Sequence, residues 1–209
     1  MFRSNEQCSL VSIDKRFWRC GLIGLALMGI LVSPAFAQTA EPKGNAYILN
    51  KERSRISFSI SHFYVSSTGG QFTTFDGKLN FEPQAPEHGS ATIHISSGSI
   101  NTGIDARDDH LRTADFFDAA RFPVATFETT SLTQISSKTG KLTGTLSLHG
   151  VTRPVSLNVT LLTPDLNADR LQFAANTTLK RSNFGMTNYT GVIGDDVTLT
   201  IEAEFDKER

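Results

Sequence analysis

The chain has 209 residues, with 20 Lys+Arg against 21 Asp+Glu and only two cysteines. That near-neutral balance lacks the basic face that nucleic acid binding requires. Both cysteines, Cys8 and Cys20, fall within the first twenty residues, so everything downstream lacks a disulfide or a thiolate ligand and must be held by an apolar core.

At the N-terminus, Lys15, Arg16 and Arg19 precede an uncharged run over 20–32 and then Ser33-Pro34-Ala35-Phe36-Ala37. A basic region, a short apolar stretch and an Ala-x-Ala site read as an export signal peptide over 1–37. The apolar run is shorter than the roughly 20 residues needed to span a bilayer. Cys20 precedes that run, the wrong side for a lipid-modified cysteine. Export across a membrane places the mature chain outside the cytoplasm. Residues 38–45 read as a linker and 46–209 as one domain. Setting aside the four basic and two acidic residues of the signal leaves 16 basic against 19 acidic.

From Ala46 onward, apolar residues recur at every second position, the period of strands with one buried face. Ile56, Phe58 and Ile60 form the first clear run, and a second begins near Gln71 and ends at Leu79 and Phe81. Ala91, Ile93 and Ile95 follow. The segment 105–120 has neither alternation nor glycine and predicts one or two short helices crossing an end of the sheet, with Asp105 as N-cap. Strand periodicity resumes over 122–130, then in Leu142, Leu146 and Leu148, in Val155 to Leu161, in Leu171, Phe173 and Ala175, and in Val197 to Phe205. Turn chemistry separates the runs at Gly69-Gly70, 87–89, Thr139-Gly140, Gly150 with Pro154, 167–169 and Gly194-Asp195. The pattern predicts an all-β domain of about eight antiparallel strands, and leaves a two-sheet sandwich and a closed barrel both open.

Alternation directs Phe58, Ile60, Phe72, Leu79, Phe81, Ile93, Ile95, Phe127, Leu146, Leu148, Phe173, Leu179 and Phe184 inward, with a parity slip allowed for near Thr73-Thr74. The 15 phenylalanines suit a dry interior, because the ring carries no polar atom needing a partner. Asp105, Asp108, Asp109, His110 and Asp115 crowd one stretch, which suggests either a solvated helical face or an acid/base or metal site. The scattered histidines offer no zinc spacing, and no nucleophile, nucleotide or Gly-x-Ser-x-Gly motif appears. Arg181 is expected either to neutralise an anionic group at an opening or to pair with an aspartate of the crossover.

Several segments taken together resemble the YceI-like family of bacterial lipid or polyisoprenoid-binding proteins. They are Gly70-Gln71-Phe72 with Phe75 and Gly77; Ser99-Ile100-Asn101-Thr102; Arg107 with His110-Leu111-Arg112 and Asp115-Phe116-Phe117-Asp118; Phe122-Pro123 with Ala125 and Phe127; Leu148-His149-Gly150 with Pro154; and Lys180-Arg181 with Phe184-Gly185. The sequence departs from the family pattern at Asn101 and Asn183, where Asp is expected, at Thr113, where Ser is usual, and at Arg53-Ser54-Arg55. The resemblance implies an eight-stranded antiparallel lipocalin-like barrel with a short helical crossover near 105–120. It also implies periplasmic binding, without catalysis, of a long-chain isoprenoid or similar amphiphile such as a quinone-like lipid. The inward residues would line its pore, with His110, Arg112 and Arg181 at its mouth. No catalytic or metal-binding residue and no cofactor other than such a lipid are expected. A hydrolase or metal-dependent enzyme using 105–118, a membrane-proximal redox partner and a homodimer stand as alternatives.

Overall fold

The computed structural model describes residues 44–62, 66–134 and 136–209. The expected signal over 1–37, and all but the last two residues of the linker, lie outside the described residues.

Eleven strands occur among the described residues: β1 (Asn45–Leu49), β2 (Arg55–His62), β3 (Ser66–Phe72), β4 (Phe75–Phe81), β5 (Ser90–Ser96), β6 (Ile100–Asn101), β7 (Val124–Gln134), β8 (Thr139–Leu148), β9 (Val151–Leu161), β10 (Arg170–Lys180) and β11 (Ile193–Lys207). Three successive pairs are single barrel strands interrupted midway. β1 and β2 both lie along β11, with Leu49 opposite Phe205 and Arg55 opposite Glu202. β3 and β4 are separated only by Thr73-Thr74, and β5 reaches β6 through a 3-10 turn at Ser97–Ser99. Joined in this way they form a continuous antiparallel meander, β1/β2 to β3/β4 to β5/β6 and on through β7, β8, β9, β10 and β11, which returns to β1 and β2. The result is a closed eight-stranded antiparallel barrel with one short helix, as the resemblance implied, and not a sandwich.

The interruptions bend the barrel without orphaning its backbone. The Thr73 N–H donates to the Ser99 carbonyl at 3.1 Å and the Ser96 N–H to the Thr74 carbonyl at 2.9 Å. Parity slips by one there, so Phe72 and Phe75 both face inward. At the first interruption, the 50–54 turn folds over Glu204, an outward-facing residue of β11 that is nonetheless only 5% exposed. Arg53 Nη1 lies 2.9 Å and Arg170 Nε 3.0 Å from its carboxylate, and Gln172 Nε2 donates to it at 2.7 Å. Burial alone pushes the Glu204 carboxyl upward, but the bonds from Gln172 and Arg53 and the arginine charges outweigh it and hold the group below the usual range.

One end of the barrel is plugged. Tyr47, Leu49, Ile56, Phe75, Phe81, Leu171 and Phe205 are buried together, with Phe173 edge-on to both Phe81 and Phe205 at 6.4 and 6.0 Å. The Tyr47 hydroxyl donates to the Ala168 carbonyl at 3.1 Å and closes that end. Each fully buried side chain contributes about 1.5–3 kcal/mol. A second cluster, Leu146, Val155, Leu157, Phe184 and Met186, forms where β10 pairs with only the last part of β9 and the 3-10 turn Arg181–Phe184 fills the gap.

Some expected turns lie inside strands. Gly69-Gly70 belongs to β3, Thr139-Gly140 opens β8, and Gly194-Asp195 sits in β11 where its register with β2 shifts. Gly70 is a packing device: a Cβ there would stand 2.6 Å from the Phe58 ring, which lies across it. The true hairpin between β8 and β9 uses His149 and Gly150, both at positive φ, the geometry of a two-residue turn. The crossover holds one helix, α1 (Asp105–Arg112). Its N-cap is Ile104, which has no side-chain acceptor, so Asp105 does not cap the helix but begins it.

Candidate functional site

The inward faces enclose a cavity of about 750 Å³ that runs from the plugged end to the end covered by α1. All thirteen residues directed inward by alternation, Phe58 through Phe184, line it. Their packing is unlike that of a core. Phe58, Ile60, Phe127, Leu179, Leu199 and Ile201 point into the barrel yet remain only half-buried, whereas close-packed interiors leave few voids larger than a water molecule. The barrel is therefore walled by apolar side chains but not filled by them. Gly144 widens it: the Phe127 ring lies against its backbone, 2.4 Å from where a Cβ would sit.

Ionisable groups gather at the α1 end. Among the described lining residues these are Arg107 and His110 on α1, Arg181 after β10, and Tyr189, with Glu202 apart from them. Asp115 ties two covering segments together: it accepts from His110 Nε2 at 3.0 Å, the Tyr189 hydroxyl at 3.3 Å and Asn188 Nδ2 at 3.3 Å. Phe116 stacks on Tyr189 at 5.6 Å, and His110 stands edge-on to both rings. The Asp115 charge, with burial second, pushes the Tyr189 phenol upward.

Two residues expected at the mouth serve the framework. Arg112 does not line the cavity. Its Nε and Nη2 donate to the Gly98 and Ile100 carbonyls at 2.8 and 3.0 Å and its Nη1 to Asp109, which fastens α1 to the third interrupted strand. Arg181 lines the cavity but is 4% exposed, and it donates to the carbonyls of Gly194, Met186 and Ile193. It pairs with backbone at a point where strand hydrogen bonding lapses, and not with an aspartate of the crossover. Burial lowers its pKa, and nearby Asp195 opposes the shift.

The acidic segment is likewise occupied with structure. Asp108 is buried and accepts from the N–H and hydroxyl of Thr102; Asp109 pairs with Arg112 and Asp118 with Arg121. No group of three or more His, Cys, Asp or Glu able to hold a metal ion occurs among the described residues. Sequence reasoning missed Arg107 and Tyr189 as lining residues. Arg107 stands three residues before His110, a helical spacing that puts both on one face; nothing in the sequence signals that Tyr189 folds back over α1.

The YceI-like domain family matches residues 47–205. A UPF0312 protein of Azotobacter vinelandii is 32% identical over 188 residues, covering 88% of this chain and 95% of that protein. The crystal structure of Burkholderia cenocepacia BcnA superposes with a TM-score of 0.69 at 25% identity, covering 75% of this chain and 98% of BcnA. A polyisoprenoid binding domain from Saccharophagus degradans, implicated in plant cell wall breakdown, has a TM-score of 0.61 at 21% identity and covers 78% of this chain and 99% of that domain.

Proposed function

The chain belongs to the YceI-like family, and from that premise we propose that it binds a long-chain isoprenoid or similar amphiphilic lipid, such as a quinone-like molecule, inside its barrel. The observation that carries this reading is the unfilled apolar interior. A cavity of about 750 Å³ walled by half-buried phenylalanine and aliphatic side chains leaves apolar surface that a hydrocarbon chain would cover. Each methylene moved from water into such a wall contributes about 0.8 kcal/mol. Ordering the chain and losing its free motion offset part of that gain. The name of the Saccharophagus degradans domain supports the same ligand class.

The lipid is bound and not transformed in this reading, which the structural engagement of Asp108, Asp109, Asp115 and Asp118 supports. The signal-like sequence over 1–37 supports delivery of the barrel to the periplasm, where it would store, shield or carry lipid through water. Mass spectrometry of an organic extract of the purified protein tests the binding. A chain-like lipid near one per barrel is expected; its absence, with no uptake of added prenols or quinones, refutes it. N-terminal sequencing after expression in a bacterial host tests export, with a new terminus near Gln38 expected in the periplasmic fraction.

A further inference from the structure

We infer that the α1 end of the cavity is a headgroup subsite selective for an anionic oxygen group, a carboxylate or a phosphate, with Arg107 as its principal donor. The inference rests on the reading of the barrel as a lipid-binding pore and adds which class of amphiphile it takes and which way round the molecule lies.

Arg107 is held on two sides. Its Nε donates to the Thr102 hydroxyl at 2.7 Å and its Nη2 to the Thr102 carbonyl at 2.9 Å. That hydroxyl in turn donates to buried Asp108, which also accepts the Thr102 N–H, so the aspartate fixes the guanidinium through Thr102 and not by direct pairing. The remaining nitrogen, Nη1, has no protein acceptor among the described residues, although Arg107 lines the cavity. A guanidinium fixed on two donors with a third left over is pre-organised for one more oxygen.

Arg107 and Arg181, which line the cavity, have no carboxylate within 4.0 Å among the described residues, a condition they share with Arg55, Arg153 and Arg209 elsewhere, whereas Arg53, Arg112, Arg121 and Arg170 each have one. Three carboxylates of the surrounding segments are engaged elsewhere: Asp108 with Thr102, Asp115 with His110, Asn188 and Tyr189, and Asp195 with Ser182 and Lys180. Half-buried Arg107 reaches the Asp108 carboxylate only through the Thr102 hydroxyl, which leaves its Nη1 open to an anionic oxygen from the cavity. The far end of the cavity is closed by the Phe81, Phe173 and Phe205 rings, so the headgroup lies under α1 and the tail points into the barrel.

The test compares probes with one tail and different heads: oleic acid, oleyl phosphate, oleyl alcohol and oleylamine, each below its aggregation concentration. Affinity is measured by displacement of an uncharged fluorescent probe from the full chain at neutral pH. A charge-assisted hydrogen bond favours the acid and the phosphate over the alcohol by about tenfold or more, with the amine weakest. R107Q should bring the acid-to-alcohol ratio close to one, and R107K, which keeps the charge but loses the fork, should give an intermediate ratio. Should R107Q unfold, the ranking in the unmodified chain and its compression by salt decide the question. Equal binding of acid and alcohol overturns the subsite while leaving the pore reading intact; failure of every probe to bind overturns both.

Discussion

Replacing Ala175 with phenylalanine distinguishes an unfilled pore from a packed core, because the two cases predict changes of opposite sign. Ala175 sits midway along β10, opposite Val159 on one side and Ile201 on the other, and its side chain lines the cavity. In a close-packed interior the added ring would have no room, and overpacking costs about 1–3 kcal/mol. Here the ring enters existing space, and burying a phenylalanine side chain contributes roughly 1.5–3 kcal/mol. The lipid-free protein should therefore become more stable to urea by somewhat less than that amount, since the ring loses rotational freedom. Ligand loses what stability gains: a ring occupying the room of three or four methylenes removes about 2.5–3 kcal/mol of transfer energy, roughly a hundredfold in affinity. Urea unfolding of delipidated protein and displacement of the fluorescent probe provide the two readings. A destabilised variant, or one that binds as tightly as the parent, would refute the unfilled interior.

Acid should unfold the barrel along a defined path. Glu204, Asp206 and Asp195 are all held below their ordinary values, Asp206 chiefly by the Asn50 and Arg170 side chains and Asp195 chiefly by the Ser182 N–H. A carboxyl depressed in the folded state contributes stability above its unfolded pKa near 4 and loses it as pH falls through the folded value. Melting temperature should thus be flat from neutrality to about pH 5 and drop steeply below pH 4, and E204Q should flatten that drop while costing about 1–3 kcal/mol at neutral pH. Asp115→Ala releases His110, Asn188 and Tyr189 together; because these contacts are largely exposed, global stability should fall by under about 1 kcal/mol, while hydrogen exchange over 113–118 and 187–192 speeds up. Unchanged exchange there would show that Asp115 does not tie the two segments. Gly144→Val forces a side chain against the Phe127 ring and should destabilise by about 1–3 kcal/mol in urea, with Gly70→Val behaving alike against Phe58.

Much of the pore was legible before any coordinates, since strand alternation is a strict period of two. Once Phe58 or Phe127 is placed on the inner face, its neighbours two residues away follow. Periodicity does not distinguish a side chain that fills an interior from one that borders a void; that depends on how far apart opposite walls stand, which closure and bending fix. Gly69-Gly70 carries the composition of a turn, but its role is set by Phe58 across the ladder, a partner invisible to local reading. Arg112 and Arg181 show the same limit among polar groups. An arginine beside a predicted opening looks like a ligand contact until the carbonyls left unpaired by an interrupted strand are seen to need its donors. The short β1 was missed because its partners, β4 and the end of β11, are respectively about 30 and 160 residues distant.

The return of β11 to β1 and β2 also bears on how the barrel is assembled. Every other neighbouring pair in the meander joins barrel strands consecutive along the chain, the longest connection being the 102–123 crossover that holds α1, so each closes at far shorter sequence separation. The last seam brings Asn50 to Asp206, separated by 156 positions, and puts the Glu208 N–H on the Ala46 carbonyl. Contacts of that sequence separation carry the largest entropic cost of closure. Closure of this seam last would leave an open, curled sheet with its apolar face still accessible, and a lipid lying on that face when the seam zips shut would be enclosed without passing α1 at all. The occupancy of a purified sample would then record the surroundings in which the chain folded, and refolding in lipid-free buffer is the direct way to an empty barrel.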